Sequence, residues 1–166
     1  MSESGCLRNE NVENLNVNGI ILGQRRPIKL LTDKGGSGGA VDAITAAESG
    51  TIFLVPEITS ANQTIQLPAC ANAVGCYYTF FLTVTPDNVD FDVVTPGSEK
   101  IIACIPDGAG NNTGDSAGKN SIGFDKDAVV GASFTLTCLS ATDGHAWLAH
   151  DIIDSLQFNN GGINIA

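Results

Sequence analysis

Basic residues are scarce in this chain: 8 Lys and Arg stand against 18 Asp and Glu in 166 residues, for a net charge of −10. Affinity for nucleic acid comes mostly from Lys and Arg neutralising phosphates, so the balance argues against a nucleic-acid partner and against an anionic membrane surface. No apolar run approaches the roughly 20 residues that a membrane-spanning helix needs. The opening stretch MSESGCLRNENVENLN lacks the apolar centre of a secretory signal, so the chain is expected to begin in the cytosol. Charged residues make up only 16%. With a mean hydropathy of +0.12, that excludes wholesale disorder and leaves enough apolar surface for one compact domain. There is a single Met and a single Trp, and no cysteine pair has the C-x-x-C spacing of a zinc or redox site. The five cysteines (Cys6, Cys70, Cys76, Cys104 and Cys138) are read as buried thiols. Cys70 and Cys76 are the one pair close enough in sequence for a local bridge.

What the chain has in abundance is Gly, Thr and Asn, a strand-and-turn composition. It divides in two. Residues 1–40 are Asn-rich, end in the flexible run Gly35-Gly36-Ser37-Gly38-Gly39, and are expected to form an extended N-terminal arm. Two apolar patches interrupt the arm, NGIIL with Ile20, Ile21 and Leu22, and PIKLL with Ile28 and Leu30; each is long enough to add a strand to some other surface. Residues 1–34 balance at +1 and residues 35–166 at −11, and such asymmetry marks a tail with its own partner.

Residues 41–166 read as a β domain of about eight short antiparallel strands. Their positions are 51–55, 63–67, 77–84, 90–94, 100–105, 121–124, 133–139 and 146–149. Alternation places Phe134, Leu136 and Cys138 inside with Ser133, Thr135 and Thr137 facing water, and Tyr78, Phe80, Leu82 and Val84 inside with Phe81 outside. An outward aromatic fits a second subunit, so Phe81 is the candidate subunit-interface residue. Pro68, Pro86, Pro96-Gly97 and Pro106-Asp107-Gly108 fall between strands, and residues 107–120 read as an exposed loop. Helix is limited to single turns near 44–49 and 151–158. Frequent turns between short strands indicate a sandwich or barrel.

Chemical motifs are thin. Gly35 to Gly39 satisfies G-x-S-x-G, but no strong strand precedes Ser37 and no helix follows, so it reads as a linker. His145 and His150, with Asp143, Asp151 and Asp154 nearby, lack the three or four ligands of a metal site and read as surface or interface histidines. Asn88, Asp90 and Asp92 would share one strand face, where hard cations favour such oxygens. A solvated acidic face is the preferred reading there. No combination supplies nucleophile, base and oxyanion donor, so no catalytic residue, metal or cofactor is expected.

Residues 44–84, ITAAESGTIFLVPEITSANQTIQLPACANAVGCYYTFFLTV, resemble the opening strands of the head decoration, or capsid cement, proteins of tailed phages. Residues 131–148, GASFTLTCLSATDGHAWL, are similar to that family's closing hairpin, which ends in a Trp as here at Trp147. The resemblance implies a jelly-roll-like β domain on the outer capsid surface of a virion, commonly a trimer, tying neighbouring capsomers together. Its partners would be the major capsid protein and further copies of the chain. The arm would reach along the capsid, with Arg25 and Arg26 meeting acidic groups and the Ile20-Ile21-Leu22 or Ile28 to Leu30 patch adding a strand to a capsid sheet edge. The alternative is a host- or carbohydrate-binding β module of a tail or fibre, with residues 107–120 as the reader.

Overall fold

The computed structural model describes residues 26–33, 41–59, 61–87, 89–106, 112–114, 118–140, 145–153 and 163–165. These residues are mostly β, with twelve strands: β1 (Ile28–Leu30), β2 (Val41–Ala43), β3 (Ile52–Val55), β4 (Gln63–Gln66), β5 (Tyr77–Leu82), β6 (Phe91–Val94), β7 (Lys100–Pro106), β8 (Asn112–Gly114), β9 (Ser121–Phe124), β10 (Ser133–Cys138), β11 (His145–Ile153) and β12 (Ile163–Ile165). They form a seven-stranded sheet, β1-β3-β5-β10-β11-β7-β8, and a five-stranded sheet, β12-β9-β6-β4-β2. All four sheet edges are strands of three residues, short enough to blunt edge-to-edge aggregation.

Each of the eight expected strands is present, but the expectation of antiparallel pairing is corrected. Five of the ten strand pairs are parallel. Consecutive strands from β1 to β7 alternate between the two sheets, so each turn of the chain adds one strand to each sheet, parallel to the one laid down two strands earlier. The connections between β3 and β4, β4 and β5, and β5 and β6 have seven, ten and eight residues. They are arches that cross the roughly 10 Å between facing sheets, not tight hairpins.

The two inner faces meet in an aromatic core. Phe80 of β5 stacks on Phe53 and Phe134 at 5.3 Å each, and reaches across to Phe91 of β6 at 6.1 Å. Phe134 of β10 meets Phe124 of β9 at 5.1 Å. Trp147 and Tyr78 close one end, both fully buried, with ring centroids 6.0 Å apart. Burial and the neighbouring Cys76 push the Tyr78 phenol well above its ordinary value, and its hydroxyl donates to the Thr45 carbonyl.

Three further expectations change. The PIKLL patch does not await a partner's sheet: Ile28–Leu30 is already paired in parallel with β3 of its own chain. The segment 107–120 contains β8, paired with β7, and Lys119, which bridges Ile101. The helical turn expected from 151 does not start there, because β11 runs on to Ile153. The expected turn near 44–49 is a 3-10 turn at Ala46–Glu48, closed by Thr45 and Glu48 capping each other.

The cysteine reading is corrected as well. Cys70 and Cys138 form a disulfide across 68 residues of sequence, and Cys76 is a free thiol. A β-bulge sets Cys76 opposite the bridge: Gly75, at φ +83, donates to the Cys138 carbonyl while the Cys138 N–H goes to the Cys76 carbonyl. Cys6 lies outside the described residues.

Candidate binding face on the seven-stranded sheet

The inner face of the seven-stranded sheet is consumed by the core; its outer face carries the candidate site. Ladder register sorts that face into rows. One row runs Leu30, Leu54, Phe81, Ser133, Ile153 across β1, β3, β5, β10 and β11. Leu30 is 64% exposed, Phe81 37% and Ile153 62%, so the row is an open apolar band. The next row runs Ile28, Ile52, Thr79, Thr135, His150. The third joins Tyr77, Thr137 and Leu148.

Phe81 points outward, in the direction read from alternation, while Tyr78, Phe80 and Leu82 point in; Val84, expected inside, lies past the end of β5 and is exposed. Ser133 and Thr135 share the outer face but are buried, which corrects the expectation that they face water. They sit on β10, flanked on both sides by β5 and β11, and Thr135 Oγ1 pairs with Thr79 Oγ1 at 2.9 Å.

Ile28 and Leu30 are exposed on the edge strand. Arg26 is held by its own domain. Its Nε donates to the Gly50 carbonyl and its Nη2 to Thr79 Oγ1, both at 2.8 Å, and the guanidinium lies 5.2 Å from the Tyr77 ring centroid. These contacts clamp the start of β1 onto β3 and β5 and occupy the group that was expected to meet a partner's acid. Lys29 closes the same edge, donating to Glu48 Oε1 at 2.8 Å and passing 5.7 Å from the Phe53 centroid. Burial pushes the Glu48 carboxyl up, but the bonds from Lys29 and Thr45 outweigh it and hold the group below its ordinary value. Arg25, Ile20, Ile21, Leu22 and Ser37 lie outside the described residues.

At the other end of the face Thr137 Oγ1 and His150 Nε2 are 2.8 Å apart, and His150 Nδ1 is 2.9 Å from Asp151 Oδ2. Thr137 was absent from the sequence reading of His150, because a pairing between β10 and β11 places it there and no local motif does. Asp90 accepts the Lys126 N–H, Asp92 lies on β6, and Asn88 is outside the described residues. Among the described residues no group of three or more His, Cys, Asp and Glu is placed to hold a metal ion. No described helix is long and apolar enough to cross a membrane. The chain matches no family model, no curated protein and no solved structure.

Proposed function

We propose that this chain is a virion structural protein, a capsid decoration protein that uses the outer face of its seven-stranded sheet for contact. The observation that carries the reading is the open apolar band Leu30, Leu54, Phe81 and Ile153 on a domain that is otherwise acidic. Strongly acidic copies repel one another, and the row from Leu30 to Ile153 itself carries no carboxylate, so this band is where close contact costs least. In this reading copies of the chain meet as a trimer around Phe81, while Ile28, Leu30 and the arm ahead of Arg26 reach the major capsid protein. Repetition over many copies makes individually weak contacts act together. The kinship with jelly-roll-like decoration domains belongs to the same proposal, and the parallel coil of β1 to β6 is its departure from that pattern.

Truncation must respect the fold. Deleting residues 1–34 would remove β1 and the Arg26 clamp, so loss of binding would report damage to the sheet edge. Deleting residues 1–25 keeps both. The test is co-sedimentation of purified protein with particles lacking it, beside the mass in solution by light scattering. The expected result is a trimer that loads at many copies per shell. Phe81→Glu should give folded monomers, and the 1–25 deletion should leave trimers that no longer load. A monomeric parent protein, or binding confined to a few copies at a tail, overturns the reading.

A further inference from the structure

The Thr137, His150 and Asp151 arrangement plays no part in the apolar band and does not depend on the decoration reading. His150 and Asp151 are sequence neighbours on one strand, and strand neighbours normally point to opposite faces. Here they do not, and two features explain it. β11 carries one extra residue against β10: Ser133 pairs with Ile153 and Thr135 with His150, so Asp151 and Ile152 together oppose Phe134. Within that bulge Asp151 adopts φ +49, the one positive φ of a non-glycine among the described residues. The left-handed turn brings the carboxylate back to the outer face, onto His150 Nδ1, while Ile152 packs against the core. In the neutral tautomer that donates Nδ1–H to Asp151, the imidazole presents its other nitrogen as an acceptor, and Thr137 Oγ1 lies in donating range of it. Thr137 is β-branched and lies within β10, so its hydroxyl is held in few rotamers.

We propose that Thr137 is an activated nucleophile that accepts an acyl group from an activated ester, with His150 as its base and Asp151 as the residue that positions the base. In the step, Thr137 Oγ1 bonds to the carbonyl carbon as its proton passes to His150 Nε2. The tetrahedral adduct then collapses, the ester's C–O bond breaks, and the alkoxide or phenolate leaves and takes up the proton from His150. The product is an O-acyl threonine. On the outer face, where the His150 side chain is 37% and that of Asp151 78% exposed, the site admits an electrophile readily and does not exclude water, which suits a single modification of the protein over rapid turnover.

The probe is p-nitrophenyl acetate with the full-length folded chain, read by peptide mapping in a mass spectrometer. The expected result is one acetyl group on Thr137, absent in Thr137→Val, and added about 100-fold more slowly in His150→Gln and Asp151→Asn. Asp151→Asn tests the positioning role separately, since Asn tolerates the same backbone angle and keeps the side-chain shape. Thermal melts of each variant confirm that the fold is kept. Acetylation restricted to Lys or Cys76, or Thr137 labelled equally fast without His150, overturns the proposal.

Discussion

The indole nitrogen of Trp147 donates to Glu99 Oε2 at 3.2 Å, and the other oxygen of that carboxylate accepts the backbone N–H of Cys70 at 2.9 Å. One side chain therefore satisfies two donors of fully buried residues, one on β11 and one in the turn after β4. Glu99→Ala leaves both donors without partners, and each buried unsatisfied donor costs about 1–3 kcal/mol. The expected loss is about 3 kcal/mol in chemical denaturation. Glu99→Gln, which keeps one acceptor, should lose roughly half of that; equal stability of all three proteins would refute the role given to Glu99.

The Asp92 carboxyl is pushed above its ordinary value, first by burial and second by the neighbouring charge of Asp90. A group whose pKa is raised on folding binds its proton more tightly in the native state than in the unfolded chain. Its ionised form therefore opposes folding above the folded pKa, and the penalty fades as pH falls toward the ordinary value of 3.8. Asp92→Asn should raise the melting temperature at pH 7, and the gap between variant and parent should close below about pH 4. A variant less stable than the parent at pH 7 contradicts this account.

Much of the fold was legible because strand alternation reports which side of a strand is buried. Phe80 and Phe134 are placed inside and Phe81 outside on that ground, and they stand so. Pairing direction was not legible. An arch from one sheet to the other and a hairpin within one sheet both read as Gly, Pro and Asn between apolar runs. The usable signal was length: the seven to ten residues between β3 and β6 exceed what tight hairpins need. The site was harder still. Arg26 meets Thr79 across 53 residues of sequence and Thr137 meets His150 across 13, so neither pair forms a local motif. Asp151 was visible only as a neighbour of His150, and the bulge that turns it onto the same face follows from pairing with β10.

Gly123 of β9 faces Asp92 in the ladder with β6. A Cβ there would collide with the Phe91 carbonyl oxygen and fall 2.9 Å from Asp92 Cα, both backbone atoms that cannot step aside singly. Gly123→Ala therefore has to separate β6 from β9, beneath which Phe91 and Phe124 stack at 6.1 Å. The expected cost is about 3 kcal/mol or more, at the upper end of overpacking. Gly97, whose Cβ would meet nothing within 4 Å, is the comparison: its cost comes only from the φ of +60, on the order of 1 kcal/mol for Gly97→Ala. If both substitutions cost the same in denaturation, close approach of β6 and β9 is not what requires the glycine.

The Cys70 to Cys138 bridge spans 68 residues and ties the turn after β4 to the end of β10, with Cα atoms 6.1 Å apart. A closed loop of that length removes chain entropy from the unfolded state worth about 4 kcal/mol. Reduction should therefore lower stability by about that amount, and Cys70→Ala with Cys138→Ala should be insensitive to reductant. Cys76, across the ladder from Cys138 but outside the bridge, separates this from a general thiol effect. Cys76→Ser should keep the full response to reductant. In the folded parent, alkylation should reach Cys76 while sparing Cys70 and Cys138 until the protein is unfolded and reduced. Alkylation of Cys138 in the unreduced chain would show that the pairing is not the one described.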